Sequence, residues 1–321
     1  MSNRTLLLAS ALASVLALPA FAADYTFKVA HTNAAGEVQD KGLQKMKELL
    51  EAKTNGAATL EIYAGGQLGD EQQTVEGVML GSLDMGMTSN AMLSNYVEAY
   101  KVFDLPFLFP SVTGLGDKID ANWDLMEGAA NDAGFELVTV FSSGLRHLMT
   151  TKPVAKIEDL KGMKIRTMQN PVHVEAFRAY GANPTPMSYS ELYGALQSGV
   201  VDGAEGAATG YEGMKFWEVA PDFAPVGWLN MTAPVTMKKD SFDALPENIR
   251  TALLEAGSEA AKWQRQYVVD QETPLIEGFK KHGVTITQPD PAPFIEASKP
   301  LYDSALTTDS QKALFKALTA N

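Results

Sequence analysis

Apolar and polar positions alternate along this chain in two matching blocks. Thr26–Ala30 has the two-residue period of a strand, and Val38–Ala52 places Leu43, Met46, Leu49 and Leu50 at helical spacing. Thr59–Tyr63 is strand-like again. Gly65 and Gly66 make a turn, Asp70 opens a helix to Leu80, and Leu83–Thr88 closes the block as a third strand. The second block repeats the order. Met163–Arg166 reads as a strand, Val172–Tyr180 as a helix, Pro184–Met187 as extended chain, Ser188–Gln197 as a helix and Val200–Ala204 as a strand. Both close alike, with Leu80-Gly81-Ser82-Leu83-Asp84 answered by Ser198-Gly199-Val200-Val201-Asp202, where glycine takes the left-handed position that ends a helix. Two β-α-β-α-β units predict two similar α/β lobes. Ligands of such sheets bind beyond the carboxyl ends of the strands.

Outside the blocks the pattern is simpler. Leu137–Phe141 and Ala233–Lys238 read as strands, and Pro221, Pro225 and Gly227 mark a turn-rich stretch between them. From Pro246 onward, Ile249, Leu253, Ala256, Ala260, Trp263 and Tyr267 keep three/four spacing, resumed at Leu275, Ile276 and Phe279. At about 36 residues this helix is three times the usual length, long enough to cross both lobes, and Pro274 should kink it. Val284–Thr287, Pro291–Leu301 and a final helix complete the chain.

Composition narrows the class. With 321 residues, 45% apolar, the chain can bury a core without disulfides, and it has no cysteine. A net charge of −13 excludes a broad phosphate-binding face, so neither nucleic acid nor an anionic lipid surface is expected as a partner. Arg4, the apolar run Leu6–Leu18 and Ala20-Phe21-Ala22 predict an export leader over residues 1–22, too short to span a bilayer. The mature chain should begin near Ala23 and work in the periplasm.

Catalytic chemistry finds little material here. There is no cysteine and no G-x-S-x-G elbow, and the histidines at 31, 147, 173 and 282 lack metal-ligand spacing. His173 with Glu175 reads as a solvated helix pair, and Gly114-Leu115-Gly116 as a loop. Gly203, Gly206 and Gly210 have no lysine and make no Walker site. No enzyme, cofactor or metal is expected.

Arginine is the informative type because it is scarce. Arg178, Arg250 and Arg265 fall on helices at positions that suggest solvated faces. Arg166 ends a strand where the crevice should lie, and Arg146 follows Ser142-Ser143-Gly144 after another. Their forked donors match a carboxylate, phosphate or sulfonate in a way that lysine cannot reproduce.

Several motifs then point to a family. Gly162-Met163-Lys164-Ile165-Arg166, Gly181-Ala182-Asn183-Pro184-Thr185-Pro186-Met187, Glu191-Leu192-Tyr193-Gly194-Ala195-Leu196-Gln197 and Val201-Asp202-Gly203 follow one another in order. With Gly66-Gln67-Leu68-Gly69-Asp70 and Phe103-Asp104-Leu105-Pro106-Phe107-Leu108-Phe109, they resemble the solute-binding proteins of TRAP transporters, the DctP type, over nearly the whole mature chain.

The resemblance implies a two-lobed α/β periplasmic binding protein with the ligand cleft between its lobes and a long kinked helix spanning both. Lobe 1 would comprise residues 23–143 and about 232–271, and lobe 2 residues 144–231 and about 272–321. It would be a monomer that binds a small organic anion (a C4-dicarboxylate, a hydroxy or keto acid, or a sulfonate) and hands it to the small and large subunits of a sodium-coupled TRAP membrane permease. An ABC-type binding protein, a periplasmic enzyme or a sensory receptor could use the same scaffold. In the family pattern the principal carboxylate contact falls on Arg166, a second arginine on Arg146 and an aromatic contact on Tyr189. Gly206 stands where many members carry asparagine, which removes a donor and should leave room. Gln169 belongs to the Arg166–Asn170 strand end, and Glu205 is expected to brace an arginine. His31, Thr32, Asn33, Ser89 and Asn90 would touch the distal part of the ligand.

Overall fold

The computed structural model describes residues 23–320, so the expected leader lies outside the described residues. Nine strands among them form one mixed sheet: β1 (Tyr25–Ala30), β2 (Ala58–Tyr63), β3 (Met85–Met87), β4 (Phe135–Thr150), β5 (Lys164–Thr167), β6 (Asn183–Pro186), β7 (Gly203–Ala207), β8 (Asp222–Lys238) and β9 (Thr285–Ile286). Their order is β2-β1-β3-β8-β4-β7-β5-β6, with β9 added to the far end of β8.

Two strands hold the lobes together. The first half of β4 pairs antiparallel with the last part of β8, beside β3, β1 and β2. The second half of β4 pairs with β7, which leads to β5 and β6. β4 and β8 are 16 and 17 residues long, against the five or six that the sequence pattern suggested for each. The ladder breaks register between Leu137 and Thr139, between Ser142 and Gly144 and between Arg146 and Leu148. Pro225 and Gly227 fall in the last break, where β8 bulges away from β4, so the stretch expected to be a turn is an interrupted strand. Gly227 has a positive φ of 63° there and donates its N–H to His147 Nδ1 at 3.1 Å. Proline and glycine are tolerated because the ladder needs no donor at the break.

Local chemistry explains most helix ends. Asp70 caps the Glu71–Leu80 helix with a reciprocal box to Gln73, and Gly81 ends it in the left-handed region. Asn170 caps the Pro171–Ala179 helix, accepting from Val172 N and His173 N, with proline at the first helical position. Three elements differ from the pattern. The helix expected from Ser188 begins at Leu192, β7 begins at Gly203 instead of Val200, and Gly114-Leu115-Gly116 lies within the Val112–Ala121 helix, not in a loop.

Each lobe packs apolar side chains on both faces of its part of the sheet. Phe27, Leu43, Met46, Phe141 and Leu253 fill one face of the first lobe, and Val78, Leu93, Phe103, Ile119 and Leu137 the other. In the second lobe the two groups centre on Ile165, Phe177 and Trp228, and on Leu196, Tyr211 and Phe223. The Glu247–Gly278 helix runs unbroken through Pro274; it packs on the first lobe through Ile249–Ala261 and on the second through Leu275 and Ile276. The last helix, Asp309–Thr319, sets Leu314 and Leu318 among first-lobe residues, so residues 272–321 do not pack wholly with lobe 2 as expected.

Two side chains expected on solvated faces are buried. Arg265 makes a bidentate pair with Asp120 at 2.9 Å for each bond, and a Cβ at Gly116 would meet its Cδ at 2.5 Å. His173 meets Asp104 at 3.2 Å instead of pairing with Glu175 in solvent. Asn170 Nδ2 reaches the same Asp104 at 3.0 Å, Ser94 Oγ at 3.0 Å and the carbonyl of Ala91 at 2.9 Å, which ties the start of the Pro171–Ala179 helix to the 90–104 segment.

The long helix crosses β4 at its tightest point beside Gly257. A Cβ there would lie 2.8 Å from the carbonyl oxygen of Val138 and 2.9 Å from Thr139 Cβ, while Thr139 Oγ1 donates to the Gly257 carbonyl at 2.8 Å. Gly257→Ala should therefore push the helix off the strand and cost about 1–3 kcal/mol, the usual range for overpacking. A lowered thermal midpoint is the expected result, and an unchanged midpoint would show that the contact can relax.

Candidate functional site

Strand order brings the scarce arginines together. β7 runs between β4 and β5, so Glu205 in its middle has an arginine-bearing strand on each side. Arg146 grips Glu205 in a fork: Nε donates to Oε2, and Nη2 donates to Oε1 at 3.0 Å and to the Glu205 carbonyl at 3.1 Å. Arg166 turns Nε and Nη2 to the carbonyl of Met187, at 3.1 and 2.8 Å. Its Nη1 stands 3.7 Å from Glu205 Oε1 and has no hydrogen-bond partner, although it is buried. Arg166 and Glu205 are each 1% exposed, Arg146 7%.

Burial alone would lower the pKa of both guanidines. For Arg146 the charge and hydrogen bonds of Glu205 outweigh burial and hold it above its ordinary value. For Arg166 burial prevails, with Arg146 nearby working in the same direction. Burial would raise Glu205, but the charge and hydrogen bond of Arg146 keep it below the usual carboxylate range.

Three spaces adjoin along the seam between the lobes, and Tyr189 borders all of them. The central one is lined by Asn33, Glu37, Glu71, Arg146, Met149 and Gly206, among others, and its cavity of about 50 Å³ holds only a few waters. The lobes therefore stand close together, and a ligand of more than a few atoms must part them. A second space lies beside Arg166, Gln169 and Met187, and the third is a mouth ringed by Gly65, Gly66, Asp70 and Glu191.

Arg146, Arg166, Tyr189, Gln169, Gly206, Thr32, Asn33 and Ser89 all border these spaces. Glu205 sits behind the arginines, on Arg146. His31 and Asn90 do not reach the cleft. His31 is buried against Asp40 at 3.2 Å, and Asn90 donates to the carbonyl of Tyr100 at 3.0 Å, because both side chains point into the first lobe from their strand ends. Gly206 does not open free space either: a Cβ there would lie 2.3 Å from Met149 Cε, the flexible end of a side chain that now occupies the place and would have to turn away from an asparagine.

Two glutamates were not foreseen. Glu71, in the first turn after the Asp70 cap, accepts from Ser89 N and Ser89 Oγ, each at 2.7 Å. Glu37, at the mouth of the Val38–Lys53 helix, accepts from Ala34 N at 2.8 Å and Asn33 Nδ2 at 3.3 Å. It meets the second lobe at Gly213, where an added Cβ would lie 2.9 Å from its Cγ. Both follow first-lobe strand ends, the places the crevice rule singles out. Among the described residues, no three metal-ligating side chains converge as a metal site.

Burial raises Glu71, against the hydrogen bonds of Ser89 and the charges of both arginines. Burial also raises Glu37, to about 7, with a smaller push from Asp40. Below pH 4.5 the Glu37 carboxyl is neutral in folded and unfolded chains alike. As pH climbs to about 7 the unfolded chain ionises it and the closed fold resists, so the closed fold loses about 3 kcal/mol across that window. Glu37→Gln should raise the thermal midpoint by several degrees at pH 8 and hardly at all near pH 4.5. An equal effect at both pH values would place the cause elsewhere.

Comparison with known proteins agrees with this architecture. The family model for bacterial extracellular solute-binding protein, family 7 (DctP) matches residues 29–309. A solute-binding protein of Verminephrobacter eiseniae is 31% identical over 87% of this chain and 84% of its own. The 2,3-diketo-L-gulonate-binding periplasmic protein YiaO of Escherichia coli is 29% identical over 76% of this chain and 75% of its own. A TRAP periplasmic solute-binding protein of Xanthobacter autotrophicus, crystallised with β-D-galacturonate, superposes with a TM-score of 0.87 at 29% identity, covering 92% of this chain and 100% of the other. With a matched model over most of its length and two lobes closing on buried arginines, the chain belongs to the DctP family of bacterial extracellular solute-binding proteins.

Proposed function

We propose that this protein is the extracytoplasmic receptor of a TRAP transporter, binding a small organic acid through its carboxylate and delivering it to the permease. One atom carries the chemistry. Arg166 Nη1 is a buried, charged donor with no acceptor inside the protein, and such a group is costly until something supplies one. A carboxylate between Arg166 and Arg146 would take that bond, with the Tyr189 hydroxyl beside it. Two of the relatives whose names state a ligand, 2,3-diketo-L-gulonate and β-D-galacturonate, bind acids of this kind.

The rest of the cycle follows from the fold. The lobes would part at the register breaks of β4 and β8 and close again as the long helix flexes near Pro274, a hinge movement. The moving bodies would be residues 23–143 with 232–271 and the last helix, against 144–231 with the segment from 272 up to the last helix. Residues 1–22 would direct export to the periplasm. Among the described residues no helix is long and apolar enough to cross a membrane, which suits a receptor that meets its sodium-coupled permease from outside as a monomer. Binding without turnover is the expected activity.

A thermal-shift screen of organic acids on the mature chain would find the ligand, since saturation at about 100 times its dissociation constant adds ~2.7 kcal/mol. Arg166→Lys keeps the charge but loses the fork, and should weaken that ligand about 10- to 100-fold in calorimetry, the worth of one charge-assisted hydrogen bond. Undiminished binding by the lysine variant would overturn the assignment of Arg166.

A further inference from the structure

The cleft holds more acidic than basic groups, and this imbalance bears on the far end of the ligand. The charge of Arg146 is already matched by Glu205 through Nε and Nη2, so the charge left unmatched for a guest is that of Arg166. Against it stand Glu71 and Glu37. Glu71 borders both the central space and the space beside Arg166, and Glu37 lines the central one. Each is fixed by donors that occupy only part of its oxygen lone pairs: Ser89 N and Oγ for Glu71, Ala34 N and Asn33 Nδ2 for Glu37. Among the charged groups of the site, no cation is paired with either glutamate.

With every group ionised, a guest that brings only negative charge adds to an excess of negative charge already present. In a cavity that holds a few waters this repulsion is weakly screened. A dicarboxylate fares worst, because its second carboxylate must lie against a glutamate. A hydroxyl can donate to the glutamates but leaves the charge uncompensated. A cationic nitrogen does both, and it would ease the burial that now lifts both glutamates above their ordinary range. Repulsion against the wrong guest is as effective a source of selectivity as attraction to the right one.

We propose that the ligand is a small zwitterion whose carboxylate meets Arg166 and whose cationic nitrogen lies against Glu71 and Glu37. This rests on the receptor reading and refines the class of acid that the receptor takes.

The test is calorimetry at pH 8 on the mature chain with matched sets of three- to six-carbon acids. Amino acids, bearing the amine next to the carboxylate or at the far end, are compared with the hydroxy acids and dicarboxylates of equal length. The expected result is an amino acid that binds at least tenfold more tightly than its hydroxy and dicarboxylate counterparts. Glu71→Gln should reduce that preference to under threefold, and Glu37→Gln should reduce it independently should the first variant fold poorly. A hydroxy acid or dicarboxylate that binds as well as the amino acid overturns the inference and leaves a carboxylate receptor standing. If no carboxylate of any set binds, the receptor reading falls, and the inference with it.

Discussion

Two guanidinium groups buried on neighbouring strands set the terms for the rest of this molecule. Neither can shed its proton at any ordinary pH, so each must be met by acceptors where it stands. One carboxylate, Glu205, serves Arg146 through both oxygens, and a backbone carbonyl serves two of the Arg166 nitrogens. The arrangement works only because β7 lies between β4 and β5, which keeps Glu205 within reach of both. The buried Arg166 Nη1 is still left without an acceptor. A buried charge left partly unmet destabilises the empty closed form, and on the proposed reading a guest carboxylate would remove that penalty. Binding and lobe closure would thereby be linked through that nitrogen.

The same strands carry the hinge. Arg146 lies at the break where β4 loses register with β8 and takes up β7, so a residue that lines the cleft also marks where one lobe passes into the other. Two glycines of the second lobe make room in the cleft. Across the seam Gly213 admits the Glu37 side chain, and within the second lobe Gly210 admits the Tyr189 hydroxyl, to which an added Cβ would come within 2.7 Å. Parting the lobes would return Glu37 to water and relieve its burial. The closed geometry is therefore balanced between one unmet donor in the second lobe and one strained carboxylate from the first.

Much of the fold was legible because the two α/β blocks carry both periods and their punctuation. Asp70, Gly81 and the Asn170-Pro171 pair mark helix ends by chemistry that acts within a few residues. The site was legible through scarcity: few arginines are present, and although Arg166 lies near the end of β5, Arg146, expected just after a strand, lies within β4. What escaped the sequence acts over long distances. Pro225 and Gly227 read as a turn because local preference cannot reveal that the chain continues across a break in a ladder. Arg265 read as solvated because its partner, Asp120, lies 145 residues away, and Gly116 makes room for it only in three dimensions. His31 and Asn90 sit at the correct strand ends, but their side chains turn inward to Asp40 and Tyr100, a choice made by packing. Glycine at 206 suggested free space, and only the fold brings Met149 into it.

Net charge was the poorest guide to the ligand, for a physical reason. An excess of −13 spread over the surface is screened within about 8 Å at physiological salt, whereas the seam between the lobes admits few waters and screens little. What a guest meets is thus decided by five ionisable side chains and their positions. On the proposed reading arginine would fix the end that carries a carboxylate, because its fork is directional and its charge permanent. Glutamate would shape the other end by what it refuses. A carboxylate held by two serine donors cannot swing away from an approaching anion, and its protonation offers only partial relief. Selectivity in such a cleft arises as much from fixed repulsion as from the salt bridge, and an acidic protein can bind an acid while still discriminating between the kinds of acid it admits.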